Sequence, residues 1–167
     1  MSYNAIAYLS SATRSFDFPS VVRVAQSSQA NNHAKGITGY LYHHNDEFFQ
    51  FIEGEESAIM SLYETISHDE RHEIISHITI STYYERIFPE WTMRPISHTD
   101  LENAGILPHI RTTMAHFKEQ PLQYANLAKM VLHTARLISI HNEREKLLDE
   151  LASTVGLFNH DQVAKRA

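Results

Sequence analysis

The sequence predicts an α+β domain with its elements in the order β-α-β-β-α-β-β, followed by a helical C-terminal extension. Two observations predict the domain: residues 4–12 and 47–54 have the composition of strands, and apolar residues at helical spacing lie between them. Both alternating faces of residues 47–54 are apolar, so both faces of the sheet need cover. We therefore expect two helices on one face of a five-stranded sheet and the C-terminal helices on the other.

Cap and turn residues mark the predicted elements of the domain. Asp17 can cap the first helix, Pro19 suits its first turn, and Gly36 predicts its end. The letters NDE separate residues 36–44 from residues 47–54, which predicts a β-hairpin. The other predicted elements are a helix over residues 55–72, a strand over residues 73–85 and a short last strand over residues 90–96.

The C-terminal part, residues 98–167, is predicted to hold four helices. The letters TDLE at 99–102 form a capping-box pattern for the first helix, and Gly105 can end it. Pro108 and Pro121 can start the second and third helices, and the letters NERE at 142–145 can start the fourth. Their apolar stripes predict packing against the sheet or a dimer or partner surface, and they are too short to require a coiled coil.

Composition excludes several classes of protein. The net charge of −6 without a Lys/Arg run disfavours direct nucleic-acid binding, and the lack of cysteine excludes disulfides and thiolate metal sites. No segment approaches the roughly 20 apolar residues of a membrane span. We therefore expect a cytoplasmic protein without membrane contacts. Among 12 histidines, His68 and His72 have the spacing best suited to a metal, but a structural role is favoured and no metal is expected.

Several polar residues lie where apolar residues are expected, and together they predict a pocket. Gln50 is the central example, since it shares one face of a predicted strand with Phe48 and Ile52. An amide in an apolar strand costs free energy unless its hydrogen bonds are met. The others are Tyr8 on the first strand, Ser28 and Asn32 on the first helix, and the letters DERH at 69–72. Such groups between aromatic walls suit a flat heteroaromatic ligand with polar edges.

Five motifs in consistent order carry a resemblance to a known family. They are Tyr8 in AYLSS, SSQANNHAKGITGYL at 27–41, FFQFIEGE at 48–55, DERH at 69–72 and FPEWTM at 88–93. Over about residues 3–97 the chain resembles the BLUF family, the blue-light sensors that use flavin. The resemblance implies a ferredoxin-like α+β domain with a mixed sheet, in which the flavin stands between the two helices.

The resemblance also implies roles for individual residues. Tyr8 matches the photoactive tyrosine, Gln50 the switching glutamine, and Asn32 the asparagine that hydrogen-bonds the edge of the flavin ring. Trp91 and Met93 match the pair on the last strand that modulates the signal. The further expected flavin-binding residues are Ser28, Asn31, Phe48, Asp69, Arg71 and His72. The implied cofactor is FAD, although FMN and riboflavin fit such pockets.

The resemblance also implies that the chain divides into two parts with different roles. Residues 1–97 are expected to form the photosensory domain, and residues 98–167 a helical extension for capping, oligomerisation or signal output. Light-driven electron and proton transfer at Tyr8, with a hydrogen-bond rearrangement at Gln50, is expected to reach an unidentified downstream protein through these helices. We also expect a homo-oligomer, a dimer or larger.

Three other interpretations stay open at this level. One keeps the fold and uses flavin or haem for redox sensing, and another makes the chain an interaction module. The third is an enzyme, which the absence of G-x-S-x-G, P-loop and H-E-x-x-H motifs disfavours. Glu53 beside Gly54 invites acid–base chemistry, but no second carboxylate pairs with it in the sequence. We expect a protein that is not an enzyme.

Overall fold

The elements are those of a five-stranded sheet with helices on both sides. The structure is a computed structural model that describes residues 2–90, 93–119 and 124–164, without the side chains of residue 82 and residues 154–164. In chain order the elements are β1 (Tyr3–Ala12), α1 (Phe18–Ala34), β2 (Thr38–His44), β3 (Glu47–Gly54), α2 (Glu56–Ser67), β4 (His72–Tyr83), β5 (Arg94–Ile96), α3 (His98–Asn103), α4 (Leu107–Lys118) and α5 (Tyr124–Ala164).

The sheet has the strand order β4-β1-β3-β2-β5. Strand β1 is antiparallel to β3 and β4, β2 is antiparallel to β3, and β5 is parallel to β2, so the sheet is mixed. The predicted hairpin is β2-β3, and its two turn residues, Asn45 and Asp46, have φ values of 50° and 60°. Two left-handed residues in a two-residue turn match the twist of the strands. The predicted ferredoxin-like fold with a mixed sheet is confirmed.

Strand β3 separates two hydrophobic cores. Phe48 and Ile52 belong to the core under α1 and α2, whereas Phe49 and Phe51 belong to the core under the C-terminal helices. The ring of Phe49 meets the ring of Phe117 on α4 edge to face, with centroids 5.3 Å apart. The alternation read from the sequence therefore assigns each side chain of this strand to the correct face.

The connection from β4 to β5 crosses the sheet from one edge to the other. We call residues 84–90 the crossover segment. Its Ile87 and Phe88 are buried in the core under the C-terminal helices. The Phe88 ring packs against the rings of Tyr40 and Phe51, with centroid distances of 5.5 and 5.8 Å. This segment therefore lies between the sheet and the C-terminal helices.

Helix α2 and strand β5 depart most from their predicted bounds. Helix α2 ends at Ser67 rather than at residue 72, because the Asp69 side chain accepts a hydrogen bond from the Arg71 backbone N–H and stabilises a turn instead. Strand β5 begins at Arg94 rather than at residue 90, and residues 91 and 92 lie outside the described residues. Pro95 is compatible with this strand because β5 is an edge strand.

The C-terminal helices differ from the prediction in two places. The capping box exists, but it joins Ser97 and Asp100 rather than the residues of 99–102. Helix α5 is continuous over 41 residues, so the predicted third and fourth helices are one, and the predicted start at 142–145 is wrong. Glu and Arg in that stretch favour helix, and neither Gly nor Pro interrupts it. Pro121, predicted to start the third helix, lies outside the described residues.

The other two helix signals of this part are in place. Gly105 follows the end of α3 with a φ of 70°, which suits glycine at this position. Pro108 lies in the first turn of α4, as predicted. Helix α4 then buries Ile110, Met114 and Phe117 on one side, against the sheet.

Candidate functional site

A cavity lies between α1 and α2 above strands β1 and β3. Its empty volume is about 670 Å³ when the opening to solvent is included. Its walls come from both helices, from the sheet, from the turn after α2 and from the residue before β5. The residues that line it are Tyr8, Phe16, Val24, Ala25, Ser28, Asn32, Leu41, Phe48, Gln50, Leu62, Ile66, Asp69, Arg71, His72 and Met93.

A continuous set of hydrogen bonds runs along the floor of the cavity. Tyr8 and Gln50 are directly paired across β1 and β3, so their side chains point the same way. The Tyr8 hydroxyl donates to Gln50 Oε1, and Gln50 Nε2 donates to the sulfur of Met93 at 3.1 Å. Gln50 is only 7% exposed. Both ends of its amide are therefore used, which offsets the cost of burying it in an apolar strand.

The phenol of Tyr8 is held in its neutral form. Burial raises the pKa of Tyr8 well above its usual range, and Tyr63 and Asp69 raise it further against the opposing effect of Arg71. The ring of Tyr8 lies 5.8 Å from the ring of Tyr63 and 6.1 Å from the imidazole of His72, measured between centroids. Tyr8 is therefore a proton donor within an aromatic environment.

Helix α1 presents its polar stripe to the cavity. Ser28 and Asn32 lie one helical turn apart, and both line it. Asn32 is buried, and the Ser28 hydroxyl donates to the Val24 carbonyl oxygen at 3.0 Å. Asn31 is exposed and is not among the lining residues, because it points from a different side of the helix. Its expected role in binding stays a prediction.

The turn after α2 places a fixed guanidinium at the rim of the cavity. Arg71 Nε donates to Asp69 Oδ1 at 2.8 Å and to Oδ2 at 2.9 Å, and its Nη2 also contacts Oδ2. These hydrogen bonds lower the pKa of Asp69 to about 2. The side chain of Arg71 remains 45% exposed, so this pair adds little stability by itself. It does fix the position of the positive charge.

Comparison with known proteins identifies the family. A family model described as "BLUF: Sensors of blue-light using FAD" matches residues 4–94, which is more than half of the chain. The chain belongs to the BLUF family. BLUF domains are sensory modules for blue light that bind flavin. The match covers β1 to the start of β5 and thus every residue that lines the cavity.

Individual relatives of this BLUF protein support the match. The β subunit of photoactivated adenylate cyclase from Euglena gracilis is 33% identical over 89 residues, which are 53% of this chain and 10% of that relative. This chain thus spans about a tenth of the length of that cyclase subunit. The dark-state structure of BlrB, a BLUF protein, is 25% identical, with a TM-score of 0.59 over 83% of this chain and 96% of that chain. A bacterial light-regulated adenylyl cyclase is 28% identical, with a TM-score of 0.58 over 68% of this chain and 35% of that chain.

The residues around the cavity fit a flavin. The amides of Gln50 and Asn32 and the hydroxyl of Ser28 offer donors and acceptors to the edge of a heteroaromatic ring. Phe48 and other apolar side chains supply the walls. Nδ1 of His72 is buried and has no hydrogen-bond partner among the described residues. A buried polar atom normally has a partner, so a polar ligand atom is expected beside it.

The structure brings together most of the residues that the sequence singled out. Nine of them line one cavity: Tyr8, Ser28, Asn32, Phe48, Gln50, Asp69, Arg71, His72 and Met93. Trp91 lies outside the described residues. Sequence reasoning missed Phe16, whose ring meets Phe48 edge to face at 5.2 Å, because it precedes α1 in an irregular segment without periodicity. Leu62 and Ile66, one helical turn apart, form the wall on α2.

His68 and His72, whose spacing suits a metal, lie in different surroundings. His68 is exposed and its Nδ1 contacts the Glu64 carbonyl oxygen at 2.7 Å, whereas His72 lines the cavity. Within residues 2–90, 93–119 and 124–164, no three His, Asp or Glu side chains are grouped so that they could hold a metal ion. No helix in the described part of the chain is long and apolar enough to cross a membrane.

His72 gives the stability of the protein a dependence on pH. Burial lowers the pKa of its imidazole, and burial lowers those of His43 and His44 as well. The unfolded chain, with histidine pKa values near about 6.5, therefore binds protons at a higher pH than the folded chain. Stability should fall as the pH drops below about 6.5. Urea unfolding at pH 7.5, 6.5 and 5.5 measures this loss.

The contribution of His72 can be separated from that of the other histidines. We expect His72→Gln to reduce the loss of stability between pH 6.5 and 5.5, because the folded protein no longer opposes protonation there. His68→Gln, an exchange of the exposed neighbour, is the matched control and should keep the loss of the wild type. An unchanged loss in His72→Gln would contradict the role given to this side chain.

Proposed function

We propose that this BLUF protein is a blue-light photoreceptor that binds flavin without a covalent bond and switches through Tyr8 and Gln50. The observation that carries the proposal is the set of hydrogen bonds from the Tyr8 hydroxyl through the Gln50 amide to the Met93 sulfur. It lies on the floor of a cavity whose other walls suit a heteroaromatic ring. FAD is the flavin that the family description names.

The switch needs a proton donor, a proton acceptor and a reversible change between them. A bound flavin supplies the absorption of blue light and a one-electron oxidant. Tyr8 would give an electron to that oxidant, and its hydroxyl proton would move along the existing hydrogen bond to Gln50 Oε1. An amide can then exchange its donor and acceptor ends by rotation or tautomerisation, and return. The change needs no covalent adduct, which is consistent with a chain that has no cysteine.

Met93 connects this change to the C-terminal helices. When the Gln50 amide reverses, Nε2 no longer faces the Met93 sulfur, and the 3.1 Å contact is lost. Met93 directly precedes β5, which ends at Ile96, and Ser97 caps α3. A shift of this strand is thus passed to the first helix of the extension. In this proposal residues 1–97 sense light, residues 98–167 carry the output, and Trp91 modulates the signal.

The remaining site residues are assigned to the flavin itself. Asn32 and Ser28 would hydrogen-bond the edge of the ring, and Phe48 would supply an apolar wall beside it. In this proposal the Arg71 guanidinium at the rim binds the anionic side chain of a flavin nucleotide, since a fixed positive charge attracts phosphate. Asp69 holds Arg71 in place, and the buried Nδ1 of His72 would pair with a polar ligand atom. Asn31, which is exposed and does not line the cavity, would contact only a part of the ligand that extends outside it.

The output is proposed to be contact with another protein rather than catalysis. Some relatives are named as cyclases, and this chain spans only a small part of their length. Among the described side chains of α5, exposed aliphatic residues support both a homo-oligomer and a downstream protein partner: Ile140, Leu147, Leu148 and Leu151. In this proposal the extension transmits the signal to such a partner.

Absorption spectroscopy of the purified protein tests the proposal. We expect flavin absorption bands and a red shift of these bands under blue light that reverses in the dark. Mass spectrometry of the released cofactor distinguishes FAD from FMN and riboflavin. A haem spectrum, or a flavin spectrum that only bleaches by reduction, would instead support redox sensing and overturn the photoreceptor proposal.

A further inference from the structure

Glu53 is a buried carboxyl group that binds the crossover segment. It lies on β3, three residues after Gln50 and on the opposite face of the sheet. Its Oε1 accepts hydrogen bonds from the Phe88 backbone N–H at 2.7 Å and from the Thr38 hydroxyl at 3.1 Å. Its Oε2 accepts from the Ile87 backbone N–H at 3.0 Å and from the Tyr83 hydroxyl at 2.5 Å. One side chain therefore fixes two consecutive peptide groups.

The environment of Glu53 indicates a positioning role rather than a contribution to stability alone. The residue is 0% exposed, and its four hydrogen-bond partners all donate, so both oxygens of its carboxyl group act as acceptors. A buried charge is often no more stable than an apolar side chain of similar size. What the carboxylate supplies, and an apolar side chain cannot, is a defined position for the backbone of Ile87 and Phe88.

Helix α5 holds the same short segment from the other side. The hydroxyl of Ser139 donates to the Ile87 carbonyl oxygen at 2.6 Å, and Ser139 is buried. Its neighbours Ala135 and Ile138 belong to the core between α5 and the sheet. Ile87 is thus bound through its N–H to β3 and through its carbonyl oxygen to α5. Six residues later the chain reaches Met93, which contacts Gln50.

We propose that Glu53 and Ser139 are positioning residues of one coupling device. Together they hold Ile87 and Phe88 between β3 and α5, so that the docking of α5 depends on the position of the crossover segment. This gives the sheet a second connection to the extension, besides the one through β5 and α3. That light moves the crossover segment rests on the proposed function. That Glu53 and Ser139 together hold this segment in the dark does not.

Hydrogen exchange of α5 in the dark tests whether Glu53 and Ser139 hold the crossover segment together. Glu53→Gln keeps the shape of the side chain but places an NH₂ donor against backbone donors, and Ser139→Ala removes the other hydrogen bond. We expect each to speed exchange of amides in residues 131–142 by about tenfold, the effect of one lost buried hydrogen bond. The double variant should exchange about as fast as the faster single variant, because both changes release the same segment.

Thr134→Val is the control variant, and Tyr83→Phe is a substitute for Glu53→Gln. Thr134→Val removes a contact of α5 with α4, the 3.1 Å hydrogen bond to the Thr113 hydroxyl, without touching the crossover segment. When Thr134→Val and Glu53→Gln are combined, the factors by which each speeds amide exchange in α5 should multiply. If the effects of Ser139→Ala and Glu53→Gln also multiply, or if Ser139→Ala leaves exchange unchanged, the coupling is overturned. Should Glu53→Gln fail to fold, Tyr83→Phe, which removes one donor from the same carboxylate, takes its place in the cycle.

Illumination separates this inference from the proposed function. We expect Glu53→Gln and Ser139→Ala to keep the light-induced spectral shift and to lose the light-induced change in the exchange of α5 that the wild type shows. If the variants keep that change, or if the wild type shows the spectral shift without it, the coupling is overturned. If the wild type shows no spectral shift, the proposed function fails. The exchange rates of the variants in the dark still decide whether Glu53 and Ser139 hold the same segment.

Discussion

Gln50→Leu should abolish the light-induced spectral shift while the protein still folds and binds flavin. Leucine is close in size to glutamine and suits an apolar strand, but it offers no acceptor to the Tyr8 hydroxyl and no donor to the Met93 sulfur. The proton of Tyr8 then has no acceptor on residue 50. Leaving the buried Tyr8 hydroxyl without its partner costs about 1–3 kcal/mol, less than most domains have in reserve. Light-minus-dark absorption spectra and urea unfolding measure the two effects.

A second substitution on the same strand controls for packing. Ile52→Leu changes the shape of a buried side chain on the same face without changing any hydrogen bond. It should keep the full spectral shift. A Gln50→Leu protein that retained flavin and still shifted reversibly would show that the amide is not the switch.

Phe117→Ala should remove the C-terminal helices from the sheet or loosen them severely. Phe117 is buried, and its ring fills the space against Phe49 on the sheet, with centroids 5.3 Å apart. Truncating such a side chain costs about 3–5 kcal/mol through lost burial and the cavity left behind. Urea unfolding should show this loss, and exposed apolar surface should bind a hydrophobic dye.

An exposed aromatic residue of the same extension serves as the control for Phe117. Tyr124 at the start of α5 is 58% exposed, so Tyr124→Ala should change the free energy of unfolding by less than about 0.5 kcal/mol. Equal losses in the two variants would contradict the assignment of Phe49 and Phe51 to a surface for the helices. Retention of the spectral shift in Phe117→Ala would show that sensing does not need the docked extension.

The sheet and the cavity could be predicted because their signals are local. A strand has a period of two, so the letters FFQFI assign Phe48 and Gln50 to one side and Phe49 and Phe51 to the other without any tertiary information. Asp17 caps α1 because its side chain accepts from the backbone N–H three residues later, which is again a local contact. The motif order around Tyr8 and Gln50 added the family, and with it the pairing of these two residues.

The features that could not be predicted depend on distant contacts or on small competing effects. The sequence alone suggests acid–base chemistry for Glu53 and does not reveal its hydrogen bonds to Ile87 and Phe88. Those two partners lie more than 30 residues away in the chain. Helix α5 is continuous because Asn142 is tolerated inside a helix as well as at its start. The offset of the capping box to Ser97 has the same origin, since several neighbouring residues can cap and packing selects one.

Tyr8→Phe should abolish the light-induced red shift, because the Tyr8–Gln50 pair is the light-driven switch. Tyr63→Phe is the matched control, because it also removes one tyrosine hydroxyl. The ring of Tyr63 lies beside that of Tyr8, with centroids 5.8 Å apart. Both variants should bind flavin. We expect Tyr63→Phe to show the reversible red shift of the wild type and Tyr8→Phe to show none. A Tyr8→Phe protein that completes the same reversible cycle would show that Tyr8 is not part of the switch.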